Sequence, residues 1–100
     1  KMTEITRIYG VVTRPELRAE FEPLFRTVAL SSVSECDGCL SANLGAPSSE
    51  NPDEYALIST WRSLEALMEF ADEDWTKAHI PEGMERFVKE CWVHHFTSFS

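Results

Sequence analysis

The chain has little positive charge. Nine lysines and arginines stand against seventeen aspartates and glutamates, which gives a formal net charge of −8 at pH 7. A chain with this balance is repelled by phosphate backbones and by anionic lipid headgroups. We therefore expect neither a nucleic acid nor a membrane among its partners.

Long apolar runs and a cysteine framework are also missing. The longest apolar stretches fall well short of the roughly 20 residues that span a bilayer. The first ten residues, KMTEITRIYG, have no apolar block of the kind found in a signal peptide. Three cysteines are an odd number and do not suggest the disulfide framework of a secreted protein. We expect a cytoplasmic protein with reduced thiols.

What the chain does have is the size and composition of one soluble globular domain. It contains 100 residues, of which 43% are hydrophobic and 26% are charged. A chain of this size and composition can bury enough surface for a single core. We expect one domain over residues 1–100.

Cys36 and Cys39 have the spacing of a redox dithiol or of half a zinc site, in the segment ECDGCLS. A redox pair normally begins a helix, whose free N–H groups stabilise the thiolate, but this pair follows a predicted helix. A zinc site needs four ligands, and no second cysteine pair is present. We interpret the segment as a turn with Gly38 in the left-handed conformation and Cys39 as a buried strand residue. No metal is expected.

Alternating apolar residues predict four strands, and apolar residues at helical spacing predict two main helices. The helices follow the first and the third strand, and Pro81 is expected to open a further short helix that extends through Val88. The strands are expected at residues 5–12, 39–45, 54–61 and 91–99.

Local signals set the expected helix boundaries. Thr13 and Glu16 form a capping-box pattern, so the first helix is expected to begin there and to end near Glu35. Pro23 lies inside this helix and predicts a kink or a break. Ser63 is the expected N-cap of the second helix.

The predicted order β-α-β-β-α-β is that of a ferredoxin-like α+β domain. In this fold a four-stranded antiparallel sheet carries both helices on one face. Bulky side chains alternate along the last strand, with Trp92, His94 and Phe96 on one side and Val93, His95 and Phe99 on the other. Because both faces carry bulky groups, we expect the helices to cover one and a second subunit to cover the other. The expected assembly is a homodimer through the sheet faces.

Histidines and one arginine are candidate residues for chemistry. His94 and His95 are neighbours on a strand and point to opposite sides, so they cannot hold one ligand together. Each is either a structural hydrogen-bonding residue or a pocket base near neutral pH. His79 lies in the loop after the second helix, either exposed or at the mouth of a cavity. Arg7, inside the first strand, either meets solvent or anchors an anionic substrate.

Aromatic side chains recur along the chain. They either form an ordinary core or line a pocket for a flat apolar ligand, and their spacing does not choose between the two. They are Tyr9, Trp61, Phe70, Trp75, Phe87 and Trp92.

Four features, in this order along the chain, resemble the antibiotic biosynthesis monooxygenase family. They are ECDGCL after the first helix, EYALISTWRSLEALMEF across the third strand and second helix, KAHIP in the following loop, and the histidine of the last strand. The resemblance extends from about Ile5 to Phe96. It implies a dimeric α+β barrel built on a ferredoxin-like fold.

The resemblance also implies an activity. Some family members oxygenate aromatic polyketides or quinols with molecular oxygen and without metal, flavin or haem, so a small aromatic substrate and no cofactor are expected. The ionised substrate itself reduces oxygen, while the protein holds it flat, stabilises the anion and excludes water. The residues implied for proton handling are His94, His79 and Tyr9, and Trp61 is implied to shape the pocket. Together with the aromatic and arginine candidates above, the expected substrate-binding residues are Trp61, Phe70, Trp75, Trp92 and Arg7.

Related family members degrade haem, and His79 matches the position of their axial ligand. Their asparagine on the first strand falls near Ile8, and the tryptophan that faces the haem falls at Phe70, so two of the three residues differ here. A haem-binding or haem-degrading protein and a non-catalytic, small-molecule-binding dimer are the alternatives.

Overall fold

The structure is a computed structural model that describes residues 3–99. Its strands are β1 (Ile5–Thr13), β2 (Cys39–Gly45), β3 (Glu54–Trp61) and β4 (Val88–Thr97), and its α-helices are α1 (Arg18–Ser34) and α2 (Leu64–Ala71). The strands form one sheet in the order β2-β3-β1-β4, and every neighbouring pair is antiparallel. The predicted ferredoxin-like α+β fold is confirmed. None of the helices within residues 3–99 is long and apolar enough to cross a membrane.

Both helices pack on the same face of the sheet. Phe21 of α1 lies with its ring centroid 5.2 Å from that of Tyr55, and Phe70 of α2 lies 5.1 Å from Trp61. Tyr55 and Trp61 are both buried and are separated by an even number of positions along β3, so they point to the same side. Burying each such aromatic side chain contributes about 1.5–3 kcal/mol, and this layer of rings holds the helices on the sheet.

The start of α1 differs from the prediction. Thr13 is the last residue of β1 and is fully buried, and its hydroxyl donates to the carbonyl of Phe87 at 2.9 Å. A 3₁₀ turn at Pro15–Leu17, without a side-chain cap, leads into the helix instead. The capping-box prediction is wrong because a buried hydroxyl needs a hydrogen-bond partner, and Thr13 finds it across the fold rather than in the helix.

Pro23 does not break α1, which runs without interruption from Arg18 to Ser34. The rings of Phe21 and Phe25, on either side of the proline, stack with centroids 5.3 Å apart and are both buried in the core. Tertiary packing therefore keeps the helix continuous through Pro23, although proline has no backbone N–H to donate.

The helix predicted from Pro81 to Val88 does not form. The segment contains only a 3₁₀ turn at Glu85–Phe87, and β4 begins at Val88, which pairs with Thr13 of β1. Pairing with β1 and burial of Phe87 extend the strand toward the N-terminus, so too few residues remain for a helix. By contrast, Ser63 caps α2 as predicted, because its Oγ accepts from the Ala66 N–H at 3.1 Å.

Gly38 has a different role from the one predicted. Residues 37–38 form a turn, but among the described residues the backbone φ is positive only at Asp72 and Gly83. A Cβ at Gly38 would instead overlap the Cβ of Ala66 on α2. Glycine is required there because the turn and the helix approach each other closely.

Replacing Gly38 with alanine should lower the free energy of unfolding by about 1–3 kcal/mol, since overpacking strains a close contact. Ala66→Gly alone should cost about 1 kcal/mol through helix propensity. The double variant should lose less stability than the two single variants added together, because the second change restores the space. Urea denaturation of the four proteins measures this coupling, and strictly additive losses would contradict the steric explanation.

Candidate functional site

A cavity of about 440 Å³ lies between the sheet, α1 and the segment that joins α2 to β4. Most of its wall is apolar, and α1 and the sheet supply that part. Charged groups and the Tyr9 hydroxyl enter from β1 and from residues 72–84, which we call the 72–84 loop, and serine hydroxyls enter from β3 and α1. The apolar lining includes Val11, Phe21, Phe25, Val28, Val33 and Leu57, and the polar lining includes Arg7, Tyr9, Ser59, Asp72, Asp74 and His79.

Arg7 is a buried cation in the cavity wall. Arg7 is only 7% exposed. Its Nη1 donates to the carbonyl of Trp75 at 2.8 Å and contacts Nε2 of His95 at 3.0 Å. The ion pairs found among the described residues do not include Arg7. Burial lowers the pKa of the Arg7 guanidinium, but an arginine remains charged at neutral pH. The cavity therefore contains a positive charge whose protein partners are neutral.

Tyr9 lies two positions after Arg7 on the same face of β1. Its hydroxyl donates to the carbonyl of His79 at 2.9 Å. Burial, followed by the neighbouring Cys91 thiol, raises the pKa of Tyr9 well above its ordinary value. At neutral pH Tyr9 is therefore a hydrogen-bond donor and not a phenolate base.

The 72–84 loop brings His79 to the cavity and is held there by β1. Nε2 of His79 lies 2.9 Å from Oδ2 of Asp74, and both side chains are about half exposed. The backbone of Asp72, where the loop begins, has φ 65, a region that strains a residue with a Cβ. Arg7 and Tyr9 both donate to loop carbonyls, so two β1 side chains fix this wall of the cavity.

The structure brings four of the predicted site residues to one cavity, namely Arg7, Tyr9, Phe70 and His79. Two others lie directly behind its wall. Trp61 is fully buried, stacks on Phe70 and donates from Nε1 to Oγ of Ser59 at 2.9 Å. Trp75 supplies the carbonyl that binds Arg7.

The remaining two predicted residues, Trp92 and His94, lie on the other face of the sheet. They pair with Gly10 and Ile8 of β1, whereas His95 pairs with Arg7. Trp92 packs over Gly10, where a Cβ would overlap the indole, and donates from Nε1 to Oε2 of Glu54 at 2.7 Å. His94 is therefore outside the cavity.

His95 is the histidine of β4 on the cavity side of the sheet, although the predicted site included His94 instead. Alternation indicated that His94 and His95 point to opposite sides of the sheet, but it did not say which side holds the cavity. The β1–β4 register decides this by pairing His95 with Arg7. The alternation of side chains along a strand could have identified His95. Once Arg7 is placed on the face that the helices cover, the residue that pairs with it on β4 must point to the same face.

Cys36, Cys39 and Cys91 are free thiols. Burial raises the pKa of the Cys39 thiol, which disfavours the thiolate needed for redox or metal chemistry. Within residues 3–99, no cluster of three or more histidine, cysteine, aspartate or glutamate side chains is arranged to hold a metal ion.

Comparison with known proteins gives one family. A family model described as "Antibiotic biosynthesis monooxygenase" matches residues 5–82. No curated protein sequence matches the chain significantly.

Solved structures share the fold at low sequence identity. A protein from Pseudomonas aeruginosa is 20% identical with a TM-score of 0.75, and the alignment covers 98% of this chain and 96% of that one. A candidate antibiotic biosynthesis monooxygenase from Bordetella bronchiseptica is 23% identical with a TM-score of 0.70, covering 99% and 100%. A second such candidate, from Caulobacter crescentus, is 20% identical with a TM-score of 0.74, covering 99% and 92%.

Both tyrosines should resist ionisation in the folded protein. Burial and the hydrogen bond to Glu22 raise the pKa of Tyr55 to about 12, and the pKa of Tyr9 is also raised. The unfolded phenols ionise near 10, so the unfolded chain loses protons first as the pH rises. Stability present below pH 10 should therefore decline above it.

The measurement is the absorbance of the phenolate during an alkaline titration. The Tyr55→Phe variant isolates Tyr9, and the Tyr9→Phe variant isolates Tyr55, because the chain contains two tyrosines. Ionisation of either phenol near pH 10 while the protein remains folded would show that the burial argument is wrong for that residue.

Proposed function

The chain belongs to the antibiotic biosynthesis monooxygenase family, and on this premise we propose that it is a cofactor-independent monooxygenase of a small, quinol-like or polycyclic aromatic compound. The observation that carries the proposal is the convergence of Arg7, Tyr9 and His79 on one mostly apolar cavity. Its volume of about 440 Å³ lies within the range of small-molecule sites.

The proposed reaction uses the electrons of the substrate itself. For an anthrone-like substrate, loss of a proton from its CH₂ group leaves an electron-rich enolate. This carbanion reduces oxygen and forms a carbon–oxygen bond, and the resulting hydroperoxide loses water to give a carbonyl group. One oxygen atom enters the product and the other leaves as water, so CH₂ and O₂ become C=O and H₂O.

Four polar residues of the cavity have a role in this scheme. Arg7 donates hydrogen bonds to the substrate oxygen. Tyr9 remains protonated, and its single O–H keeps His79 at the cavity by donating to the His79 carbonyl at 2.9 Å. His79 accepts the proton that the substrate loses, and Asp74, at 2.9 Å, stabilises the imidazolium that forms. The apolar wall keeps water away from the reactive carbanion and hydroperoxide.

We further propose a cytoplasmic homodimer. Three free thiols suit a reducing compartment. The sheet face opposite the helices carries Trp92 and the 55% exposed Phe96, and an apolar face of this kind favours contact with a second copy.

Oxygen uptake tests the catalytic proposal. Purified protein is mixed with reduced naphthoquinones and anthrones without added metal, flavin or haem, and spontaneous autoxidation is subtracted. His79→Ala should reduce the rate by roughly 10²- to 10⁴-fold, which is the usual contribution of a general base. Lys77→Ala is the matched control, because Lys77 is an exposed residue of the same loop and does not line the cavity.

Other outcomes would separate the alternatives. A loss in His94→Ala as large as that in His79→Ala would contradict the assignment of the base to the cavity. No protein-dependent uptake, together with a shifted hemin Soret band that His79→Ala abolishes, would favour a haem protein. Saturable binding of the aromatic panel without uptake or hemin binding would favour a non-catalytic module.

The dimer is tested by sedimentation velocity. Phe96→Glu places a charge on the sheet face and should convert the dimer into a monomer, because burying an unpaired carboxylate is costly. Leu24→Glu is the control, since Leu24 is a similarly exposed apolar residue on α1. A monomeric wild-type protein, or a Phe96→Glu dimer of unchanged affinity, would contradict the proposed interface.

A further inference from the structure

We propose that the cavity selects a singly charged organic anion, whose oxyanion binds Arg7, and that His95 is a positioning residue that holds Arg7 for this purpose. The inference rests on the proposed function in one respect, since it names the substrate class of the same cavity. It makes a separate claim about binding, which can be tested without turnover.

The first observation is the missing countercharge. Arg7 is 7% exposed, and transferring an unpaired charge out of water costs several kcal/mol. Its two partners, the carbonyl of Trp75 and the imidazole of His95, satisfy hydrogen bonds but carry no negative charge. No ion pair of the described residues involves Arg7. A negatively charged ligand in the cavity would supply the countercharge.

The second observation is that part of the guanidinium remains available. Both contacts use Nη1, and no buried side-chain nitrogen or oxygen among the described residues lacks a partner. The Nε and Nη2 donors have no acceptor in the described chain and are therefore not fully buried, and Arg7 lines the cavity. This edge of an arginine matches the two oxygens of a carboxylate or the single oxygen of an acidic phenolate.

The rest of the lining limits the charge and shape of the ligand. Asp72 and Asp74 are exposed residues of the cavity wall, and the chain carries a net charge of −8. Each additional negative charge on a ligand is therefore repelled, whereas one charge can be paired with Arg7. The apolar wall formed by residues such as Phe21 and Phe25 favours an aromatic body. The geometry points to a hydrophobic monoanion.

His95 holds the arginine from behind. Because Arg7 donates to Nε2 at 3.0 Å, His95 must be neutral with its proton on Nδ1. Burial, the charge of Arg7 and the adjacent His94 all lower the pKa of His95, which favours this neutral form. The ring of Trp75 packs edge-on against His95 with centroids 4.8 Å apart. The guanidinium is therefore held from two sides, by His95 of β4 and by the Trp75 carbonyl of the 72–84 loop.

Isothermal titration calorimetry with matched probes tests the charge preference. The probes are 2-naphthoate, its uncharged analogue 2-naphthamide and the dianion naphthalene-2,6-dicarboxylate. The wild-type protein should bind 2-naphthoate roughly 10- to 100-fold more tightly than 2-naphthamide, as expected for a charged hydrogen-bonded pair. The dianion should bind more weakly than the monoanion. An ionised nitronaphthol replaces 2-naphthoate in a parallel titration, and the tighter probe identifies the carboxylate or the phenolate as the preferred oxyanion.

Variants assign the preference to residues. Arg7→Met should abolish the preference for 2-naphthoate while 2-naphthamide still binds, which also shows that the variant is folded. His95→Leu should weaken 2-naphthoate binding by roughly tenfold. His95→Gln should restore most of it, because the amide oxygen can accept from Arg7. A purely structural role of His95 would instead change the affinities of both probes alike.

Equal affinity for 2-naphthoate and 2-naphthamide, binding of neither probe, or an unchanged preference in Arg7→Met would overturn the proposal. These outcomes are distinct from failure of the proposed function. An anion preference without oxygen uptake would support the anion-binding site and contradict the monooxygenase proposal. Oxygen uptake without an anion preference would support the monooxygenase proposal and contradict the anion-binding site.

Discussion

Strand β1 is hydrogen-bonded on both edges, to β3 and to β4. This pairing fixes which of its residues face the helices, and therefore which polar groups line the cavity. Its odd-numbered residues point toward the helices, and they include both apolar core residues and the polar pair Arg7 and Tyr9. Because alternation along a strand has a period of two, a slip of one position would move this pair to the opposite face. The two ladders prevent such a slip.

Placing polar groups on the buried face has a cost, and the surrounding structure offsets it with specific partners. Arg7 and Tyr9 donate to the carbonyls of Trp75 and His79, which belong to an irregular loop rather than to a strand or helix. These bonds satisfy the side chains and at the same time position the loop. The cavity wall and the groups that act inside it are therefore built by the same contacts.

Much of the fold could be predicted from local patterns. The bounds of β2 and β3, the cap at Ser63 and the order of the elements agree with the structure, because alternation and capping are local properties. The failures involve non-local partners. Thr13 bonds to Phe87, α1 continues through Pro23 because its rings are packed, and Gly38 lies against Ala66 on α2.

For the site, the sequence by itself determined the types of residue present: a strand arginine and tyrosine, a loop histidine, a supply of aromatic rings and an acidic overall charge. Only the tertiary structure decided which of them meet. Arg7 and His95 are 88 positions apart, and their proximity, together with the exclusion of His94 from the cavity, follows from the β1–β4 register. A register of this kind is the result of packing the whole sheet against its helices, so no short segment of the chain contains it.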